Sequence, residues 1–483
     1  MNILGISAGF HDAAATVIDG RGDIVYAGHA ERYSKIKNDA NLNVEMLFDL
    51  ACDRHIDHIA YYETPWKKQL RQLYSGQGIE WNKLITRQVL RQQLGGYFDG
   101  VSVSTHGHHL SHAAAGFQTS TFDRATVVVI DAIGEWDTIT IWGAHYVDGQ
   151  AQYDILWRQR YPYSLGLFYT AITERVGLRP MEDEYILMGM SAYGEPRHTD
   201  TMQILLQENL HAGIDHMFLP TARDVDIAAS AQVILEQEIY KVMQQAKDFG
   251  WSSNLVYQGG VALNCLANRN LNEYFENIWI MPCPGDAGSS LGAAALSYRG
   301  KINWQNAYLG TDITGTYPVD ALLDRLLNDR IVGVASGRAE FGPRALGNRS
   351  LLADPRGSDI KDRVNAIKRR QQFRPFAPVV LEEHADKYFD RPGGWCDTRY
   401  MQVVGRCRRP DLYPAITHVD GTSRIQTVPP DGSGIRQLLE AWYAKTGCAI
   451  LLNTSLNIRG EPMVNDRMDA DRFQDLYGIT VCS

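Results

Sequence analysis

Cysteine is sparse, long apolar runs are absent, and no Walker-type phosphate loop occurs. The seven cysteines, at 52, 265, 283, 396, 407, 448 and 482, are odd in number and none belongs to a CxxC pair. A reduced, cytoplasmic setting is therefore expected, rather than a disulfide framework or a structural zinc site. No stretch reaches the length of a membrane span. The opening Met1-Asn2-Ile3-Leu4-Gly5 reads as a strand, not as the basic start of a signal peptide. No membrane partner is expected. The Walker A pattern, GxxxxGK followed by Ser or Thr, is missing, so a nucleotide would need another kind of glycine turn. Positive charge is short overall: 47 Lys and Arg stand against 56 Asp and Glu, a net −9. That counts against a dedicated nucleic-acid binder.

What is present is the composition of a folded soluble protein, 45% hydrophobic and 21% charged over 483 residues. Such a length predicts two or three domains. The charge is unevenly spread. Residues 338–374 hold ten Arg and Lys against four Asp and Glu, residues 399–409 add four arginines and no acid, and the remainder sums to −19. Three arginines and three glycines fall within Gly337-Arg338-Ala339-Glu340-Phe341-Gly342-Pro343-Arg344-Ala345-Leu346-Gly347-Asn348-Arg349-Ser350. Glycine lets backbone approach a ligand, and arginine forks onto phosphate or carboxylate oxygens. A site for a small phosphorylated anion is expected here, with a solvated basic face as the alternative.

The N-terminal part is organised as two similar units. Ile3 to Ser7, Ala13 to Ile18 and Ile24 to Ala27 read as three short strands, with the turn Ala8-Gly9-Phe10-His11-Asp12 after the first. Thr126 to Ile130, the turn Asp131-Ala132-Ile133-Gly134-Glu135 and Thr138 to Tyr146 repeat the pattern. A duplicated nucleotide-binding core is the expectation; two unrelated hairpins are the alternative. A polar helical stretch (Lys67 to Gln93) lies between them, and a further helix is expected over 228–249. Asn303 to Pro318 is the best linker candidate, and the remaining residues would form a second domain.

Several clusters bear chemistry. His108 and His112 are four apart, which on a helix stacks both imidazoles on one face at metal-ligand spacing. Asp131 and Asp286 each end an apolar strand at a glycine-containing turn, so either carboxylate would complete a His₂Asp₂ site suited to Fe(II), Mn(II) or Zn(II). Satisfied helix histidines and turn-capping aspartates are the bland readings. Gly259-Gly260-Val261-Ala262-Leu263-Asn264 follows a strand, where its amides would face phosphate. Gly288-Ser289-Ser290-Leu291-Gly292 matches the G-x-S-x-G nucleophile elbow, but Pro284 to Ala287 separate Ser290 from the strand. Close helix packing is the better expectation. In the second domain the clusters are Phe373 to Pro378 around Arg374, Thr417 to Gln426 with His418 and Arg424, and Leu452 to Pro462 with Asn453.

The whole set, in this order, resembles the O-carbamoyltransferase family typified by the nodulation and cephamycin enzymes. The likeness runs nearly end to end: GISAGFHDAAA at 5–15, HHLSHAA at 108–114, DAIGEWDT at 131–138, YSLGLFY at 163–169, MGMSAYGEP at 188–196, GGVALN at 259–264 and PGDAGSSLG at 284–292, then GRAEFGPRALGNRS, FRPFAP, HVDGT and LNTSLNIRGEP. The resemblance implies an α/β chain with an actin/Hsp70-like (ASKHA) duplicated nucleotide-binding domain over 1–310 and a YrdC-like domain over 318–483. It implies that carbamoyl phosphate and ATP give a carbamoyl-adenylate, which an acceptor hydroxyl attacks with release of AMP. By position it puts a divalent metal, Fe(II) first, on His108, His112, Asp131 and Asp286, with Mg²⁺ as an accompanying ion. Gly134, Gly259, Gly260 and Asn264 would line the nucleotide. Arg344, Arg374, His418, Arg424 and Asn453 would grip carbamoyl phosphate. His11, in a turn beside Asp12 and neutral at pH 7, is the expected general base toward the acceptor, with a turn-stabilising histidine as the alternative.

The chain departs from the family's usual DGxGE at Asp131-Ala132-Ile133-Gly134-Glu135, where Ala132 replaces a glycine, and again where Ile186 stands for a lysine and where Gln372 stands for a glutamate. Three readings of function stay open. The first is carbamoylation of a small hydroxylated acceptor, such as a sugar or secondary metabolite. The second is the same chemistry on a hydroxymethyl pyrimidine in a nucleotide or DNA, for which Lys361 to Arg374 and Arg399 to Arg409 would meet phosphate. The third is a non-catalytic nucleotide-dependent sensor or scaffold. A homodimer is left open.

Overall fold

Two five-stranded sheets share one strand order. In the computed structural model, β1 (Ile3–Ser7), β2 (Ala14–Ile18), β3 (Ile24–His29), β4 (His58–Tyr61) and β5 (Ser102–Thr105) lie in the order β3-β2-β1-β4-β5. Strands β6 (Arg124–Gly134), β7 (Asp137–Val147), β8 (Gln150–Arg160), β9 (Asn254–Gln258) and β10 (Asn277–Trp279) lie in the order β8-β7-β6-β9-β10. Each sheet opens with three antiparallel strands and adds two parallel ones. The same order with the same senses is the duplicated, actin/Hsp70-like α/β core expected of this region. It rests on strand pairing alone.

The structure describes every residue except Cys52, Asp53, Gly394, Cys396 and Asp397. Cys52 and Cys396 therefore lie outside the described residues; among the described residues no disulfide joins Cys265, Cys283, Cys407, Cys448 and Cys482. The chain divides into a first unit, Met1–Ala30 with Asn38–Gln305, and a second, Glu31–Lys37 with Asn306–Ser483. No helix among the described residues is long and apolar enough to cross a membrane.

Parallel addition of β4 and β5 requires crossovers, and helices supply them. Helix His108–Thr119 follows β5 and is buried along nearly its whole length. It crosses helix Ser289–Tyr298 at Gly292, where an added Cβ would stand 1.7 Å from the Ser111 carbonyl oxygen. Only glycine permits that approach, which fixes the histidine-bearing helix against the second half of the unit. The polar stretch from Lys67 is two helices, Pro65–Tyr74 and Thr86–Leu94. The first is inside-out: Lys68, Gln69 and Arg71 are buried, whereas Trp66, Leu70, Leu73 and Tyr74 are exposed. Polar residues turn inward only where partners wait for them, and here those partners surround the site described below.

Beside β5, the His106 ring meets the Ser104 hydroxyl at 3.1 Å and the Ser297 hydroxyl at 2.9 Å. Burial, with His58 nearby, pushes its pKa down to about 4. The unfolded chain takes up a proton near pH 6.5 and the folded one does not, so stability is full above 6.5 and falls as pH drops toward 4. Between pH 7 and 4, His106→Asn is expected to lose ~2 kcal/mol less stability than the unaltered protein, allowing for the ring's partial exposure. Denaturant melts at both pH values check this; equal losses would refute it.

The second unit is a separate α/β body. Its six-stranded sheet runs β19-β15-β20-β14-β12-β21, with β12 (Ile331–Ala335), β14 (Arg349–Ala353), β15 (Ala377–Leu381), β19 (Gln426–Val428), β20 (Ile450–Ser455) and β21 (Val481–Cys482). Its core holds Val332, Leu351, Val379, Leu451 and Trp442. A three-stranded sheet joins β16 (Phe389–Asp390), β17 (Val404–Cys407) and β18 (Thr422–Arg424). The stretch read as a linker contains β11 (Tyr308–Ile313), which pairs antiparallel with β13 (Gly337–Glu340). Its glycine, threonine and tyrosine content is that of a short strand with turns.

Candidate active site

Pairing of β6 with β7 is regular to Ile130 and resumes only at Gly134. A bulge of this kind re-aims side chains, and here it carries the Asp131 carboxylate out of the ladder. Helix His108–Thr119 brings His108 and His112, one turn apart, and the loop after β10 brings Asp286. One atom from each of these four buried residues lies within 4.8 Å of the others. His108 Nε2 is 3.1 Å from Asp131 Oδ2, 3.3 Å from Asp286 Oδ1 and 3.1 Å from His112 Nε2. His112 Nε2 is 3.5 Å from Asp131 Oδ2 and 3.3 Å from Asp286 Oδ1.

These lengths test whether the residues suit a metal. Donors about 2.1 Å from a tetrahedral ion stand about 3.4 Å from one another, close to the spacings seen. Two imidazole nitrogens and two carboxylate oxygens are a set for Fe(II), Mn(II) or Zn(II). The outer nitrogens are also placed. His112 Nδ1 donates to the Pro284 carbonyl at 3.0 Å, which leaves its Nε2 bare toward the cluster. The residues fit a divalent ion. Protons otherwise stand in for it: burial alone would lower His108 and His112, but the carboxylates of Asp131 and Asp286 outweigh burial and raise both. In turn, burial alone would raise Asp131 and Asp286, and the histidines hold both below the usual carboxylate range.

His11 meets this cluster, with Asp12 on its far nitrogen. His11 Nε2 is 3.6 Å from Asp286 Oδ2, and its Nδ1 is 3.0 Å from Asp12 Oδ2. Burial lowers the His11 pKa, but Asp286, then Asp12 and Asp131, push it up to about 9. The neutral ring expected at pH 7 is thus not the state of His11 beside uncompensated carboxylates. A cation sharing the Asp286 charge would remove its main support.

The glycines are drawn in as well. Gly260 donates its amide to Asp131 Oδ1 at 3.2 Å, and Gly259 donates to Pro284 O at 2.9 Å. Gly259 has φ +92° and lies so near Ile130 that a Cβ would be 2.1 Å from its oxygen. Gly134 lies flat on the imidazoles, 2.4 Å from His108 Cδ2 to an added Cβ. Asn264 stands further along, its amide exchanged with Gln232 of helix Asp224–Asp248 at 3.0 and 3.1 Å.

In the second unit the arginine-rich segment divides by role. Arg349 is fully buried and donates to the carbonyls of Asn465, Ser336, Gly337, Asn348 and Thr311. Arg338 donates to the carbonyls of Leu309 and Gly310. Arg349 and Arg338 thus tether the backbone; Arg344, the one of the three that the resemblance assigns to carbamoyl phosphate, is half-buried, as is Arg338. Asn453 donates to Ala345 O at 3.1 Å and to Gln426 Oε1 at 2.7 Å, with its own buried Oδ1 lacking a partner. Arg374 leads into β15, whose Ala377 is paired with Asn453. His418 and Arg424 lie at the three-stranded sheet, with His418 Nδ1 3.6 Å from Asp420.

Sequence reasoning missed Lys368. Its ammonium is buried and donates to Ser455 O, to Ser455 Oγ at 3.1 Å and to Asn457 Oδ1 at 2.6 Å. Among the described residues no carboxylate pairs with it, and burial, with Arg370, Arg374 and Lys37 near, holds its pKa well below the usual lysine range. This part of the second unit is thus short of negative charge. The signal was the Lys-Arg-Arg run at 368–370 facing Ser455-Leu456-Asn457. Glu63 was missed too. It is buried, bound by Lys68 Nζ at 2.8 and 3.1 Å, and lies 3.8 Å from His108 Nδ1. Burial alone would raise its carboxyl, but Lys68 and then His108 hold it down. Ser290, the elbow look-alike, is buried inside helix Ser289–Tyr298, with its hydroxyl 2.8 Å from both Thr16 Oγ1 and Ala287 O. It packs helix to sheet and is no nucleophile.

Comparison with known proteins bears on the whole chain. Family models described as carbamoyltransferase N-terminus and C-terminus match residues 77–218 with 212–295, and 323–481. Nodulation protein NolNO of Sinorhizobium fredii is 32% identical, over 98% of this chain and 78% of its own. The 3'-hydroxymethylcephem-O-carbamoyltransferase of Amycolatopsis lactamdurans is 30% identical, over 66% of this chain and 67% of its own. Among solved structures, component A of the (R)-2-hydroxyglutaryl-CoA dehydratase of Acidaminococcus fermentans aligns at 14% identity and a TM-score of 0.37, covering 62% of this chain and 98% of that one. At that score the likeness adds nothing to the strand order.

Proposed function

The chain belongs to the carbamoyltransferase family, and from that premise we propose that it is an ATP-dependent O-carbamoyltransferase acting on a small hydroxylated acceptor, a sugar or secondary metabolite. The supporting observation is the buried cluster of His108, His112, Asp131 and Asp286, which His11 and the Gly259-Gly260 turn also reach. The stoichiometry is carbamoyl phosphate, ATP and water giving carbamoyl-adenylate, phosphate and pyrophosphate; the acceptor hydroxyl then displaces AMP. The second unit is proposed as the YrdC-like domain that holds carbamoyl phosphate.

Each group has a part in that chemistry. Asp131, Asp286, His108 and His112 would hold a divalent ion, Fe(II) foremost, which when bound supplies charge to offset nucleotide phosphates. Gly134, Gly259 and Gly260 would let backbone approach those phosphates closely, and Asn264 would meet the nucleoside side. Lys368, with Arg344, Arg374, His418, Arg424 and Asn453, would take the phosphate and amide ends of carbamoyl phosphate. His11, oriented by Asp12 at Nδ1, would receive the acceptor proton at Nε2. A small acceptor is favoured over DNA because the overall charge is negative and acids offset part of the basic stretch: Arg363 pairs with Asp359, Arg408 with Asp390 and Arg409 with Asp411.

Purified protein supplied with Fe(II) under anaerobic conditions is expected to release AMP and pyrophosphate from ATP only when carbamoyl phosphate is present. Release without it, or none with a panel of sugar acceptors added, would count against this reading.

A further inference from the structure

Both histidines of the cluster turn Nε2 inward, so each must place its remaining proton on Nδ1 for that nitrogen to be bare. His112 does so through the Pro284 carbonyl at 3.0 Å. His108 Nδ1 is buried with no hydrogen bond, and the group it faces is the Glu63 carboxylate at 3.8 Å. At that distance the contact is electrostatic, and it favours the tautomer with the proton toward the negative charge.

The placement of Glu63 is over-determined. Lys68 Nζ holds both its oxygens, at 2.8 and 3.1 Å, and itself lies 4.7 Å over the Phe10 ring. The preceding residue, Tyr62, accepts a hydrogen bond from Ser111 Oγ on the histidine helix at 2.9 Å and sets its ring 5.1 Å from that of His108. The inward-turned polar face of helix Pro65–Tyr74 thereby has a purpose: Lys68 neutralises Glu63, and Arg71 donates to the Glu135 carbonyl beside the Asp131 bulge. A buried carboxylate this close to a cation cluster would otherwise add a third negative charge.

We propose that Glu63, clamped by Lys68, is a positioning residue of the metal site, fixing the His108 tautomer and ring so that Nε2 is presented to the ion. This rests on the metal reading of the four donors. Neither residue touches the ion or substrate; both act through His108.

The test uses Co(II) as the probe, with affinity from chelator competition and geometry from its visible absorption. Three full-length proteins are compared: unaltered, Glu63→Gln, and the charge-neutral pair Glu63→Gln with Lys68→Met, which avoids leaving a lone buried lysine. Both variants are expected to bind Co(II) ~10–100-fold more weakly with an altered absorption band. The double variant should melt, metal-free, with the unaltered protein. Unchanged affinity and spectrum in the double variant would overturn the proposal while leaving the metal site standing. A lowered metal-free melting point with unchanged affinity would likewise overturn it, as a merely structural pair. Failure of the unaltered protein to bind Co(II) would sink the metal reading itself, and this inference with it.

Discussion

Asp286→Asn is expected to abolish stoichiometric binding of a divalent ion and to lower carbamoyl transfer by about 10³-fold, with the fold retained. Its carboxylate faces both cluster histidines and His11, at 3.3, 3.3 and 3.6 Å. An amide keeps the shape and removes the charge. Metal content after dialysis and AMP release are the two readouts. Full metal occupancy in the variant would remove Asp286 from the donor set. The pH dependence of binding follows from the same charges. His108 and His112 are raised above the ordinary histidine value, so protons compete with the ion for Nε2. Affinity should fall as pH falls, by about 100-fold per unit where two protons are displaced.

Lys368→Met is expected to lose carbamoyl phosphate-dependent AMP release by at least ~10²-fold while the protein stays folded. A buried ammonium without a carboxylate is costly to keep, so an apolar chain of similar length is tolerated there. Against that, Ser455 and Asn457 lose a donor, at ~1–3 kcal/mol. The two effects oppose, and the melting temperature should move by only a few degrees. Calorimetry with and without carbamoyl phosphate separates the roles. The unaltered protein should be stabilised by the ligand and the variant should not. A variant that is still stabilised would show that the anion sits elsewhere.

The two sites were legible in the sequence to different degrees. His108 and His112 declare themselves because four residues on a helix is a local relation. Asp131 and Asp286 could be read as strand-end acids, since both follow short apolar runs. Their meeting required the duplicated sheet order, which recurring strand–turn–strand units also announced. Lys368 could not be read so directly. What sets it apart is burial against Ser455 and Asn457, supplied by a strand and turn 87 and 89 residues later. Nor does pattern show what Arg338 and Arg349 hold, since Leu309, Gly310, Thr311 and Asn465 supply carbonyls from elsewhere in the chain. Helix Pro65–Tyr74 reversed the usual rule, because Trp66, Leu70 and Leu73 look like a core stripe and lie outside.

The donors span residues 108 to 286, across two sheets that each need a crossover before their last strands can join. Closing so long a loop is among the later events of folding, since its entropy must be met before any contact repays it. When the chain has emerged only through the helix His108–Thr119, it carries the two donor histidines and neither donor aspartate. A bound ion is thus a certificate of completed folding of this unit. Metal present during refolding should slow its unfolding far more than it speeds its assembly.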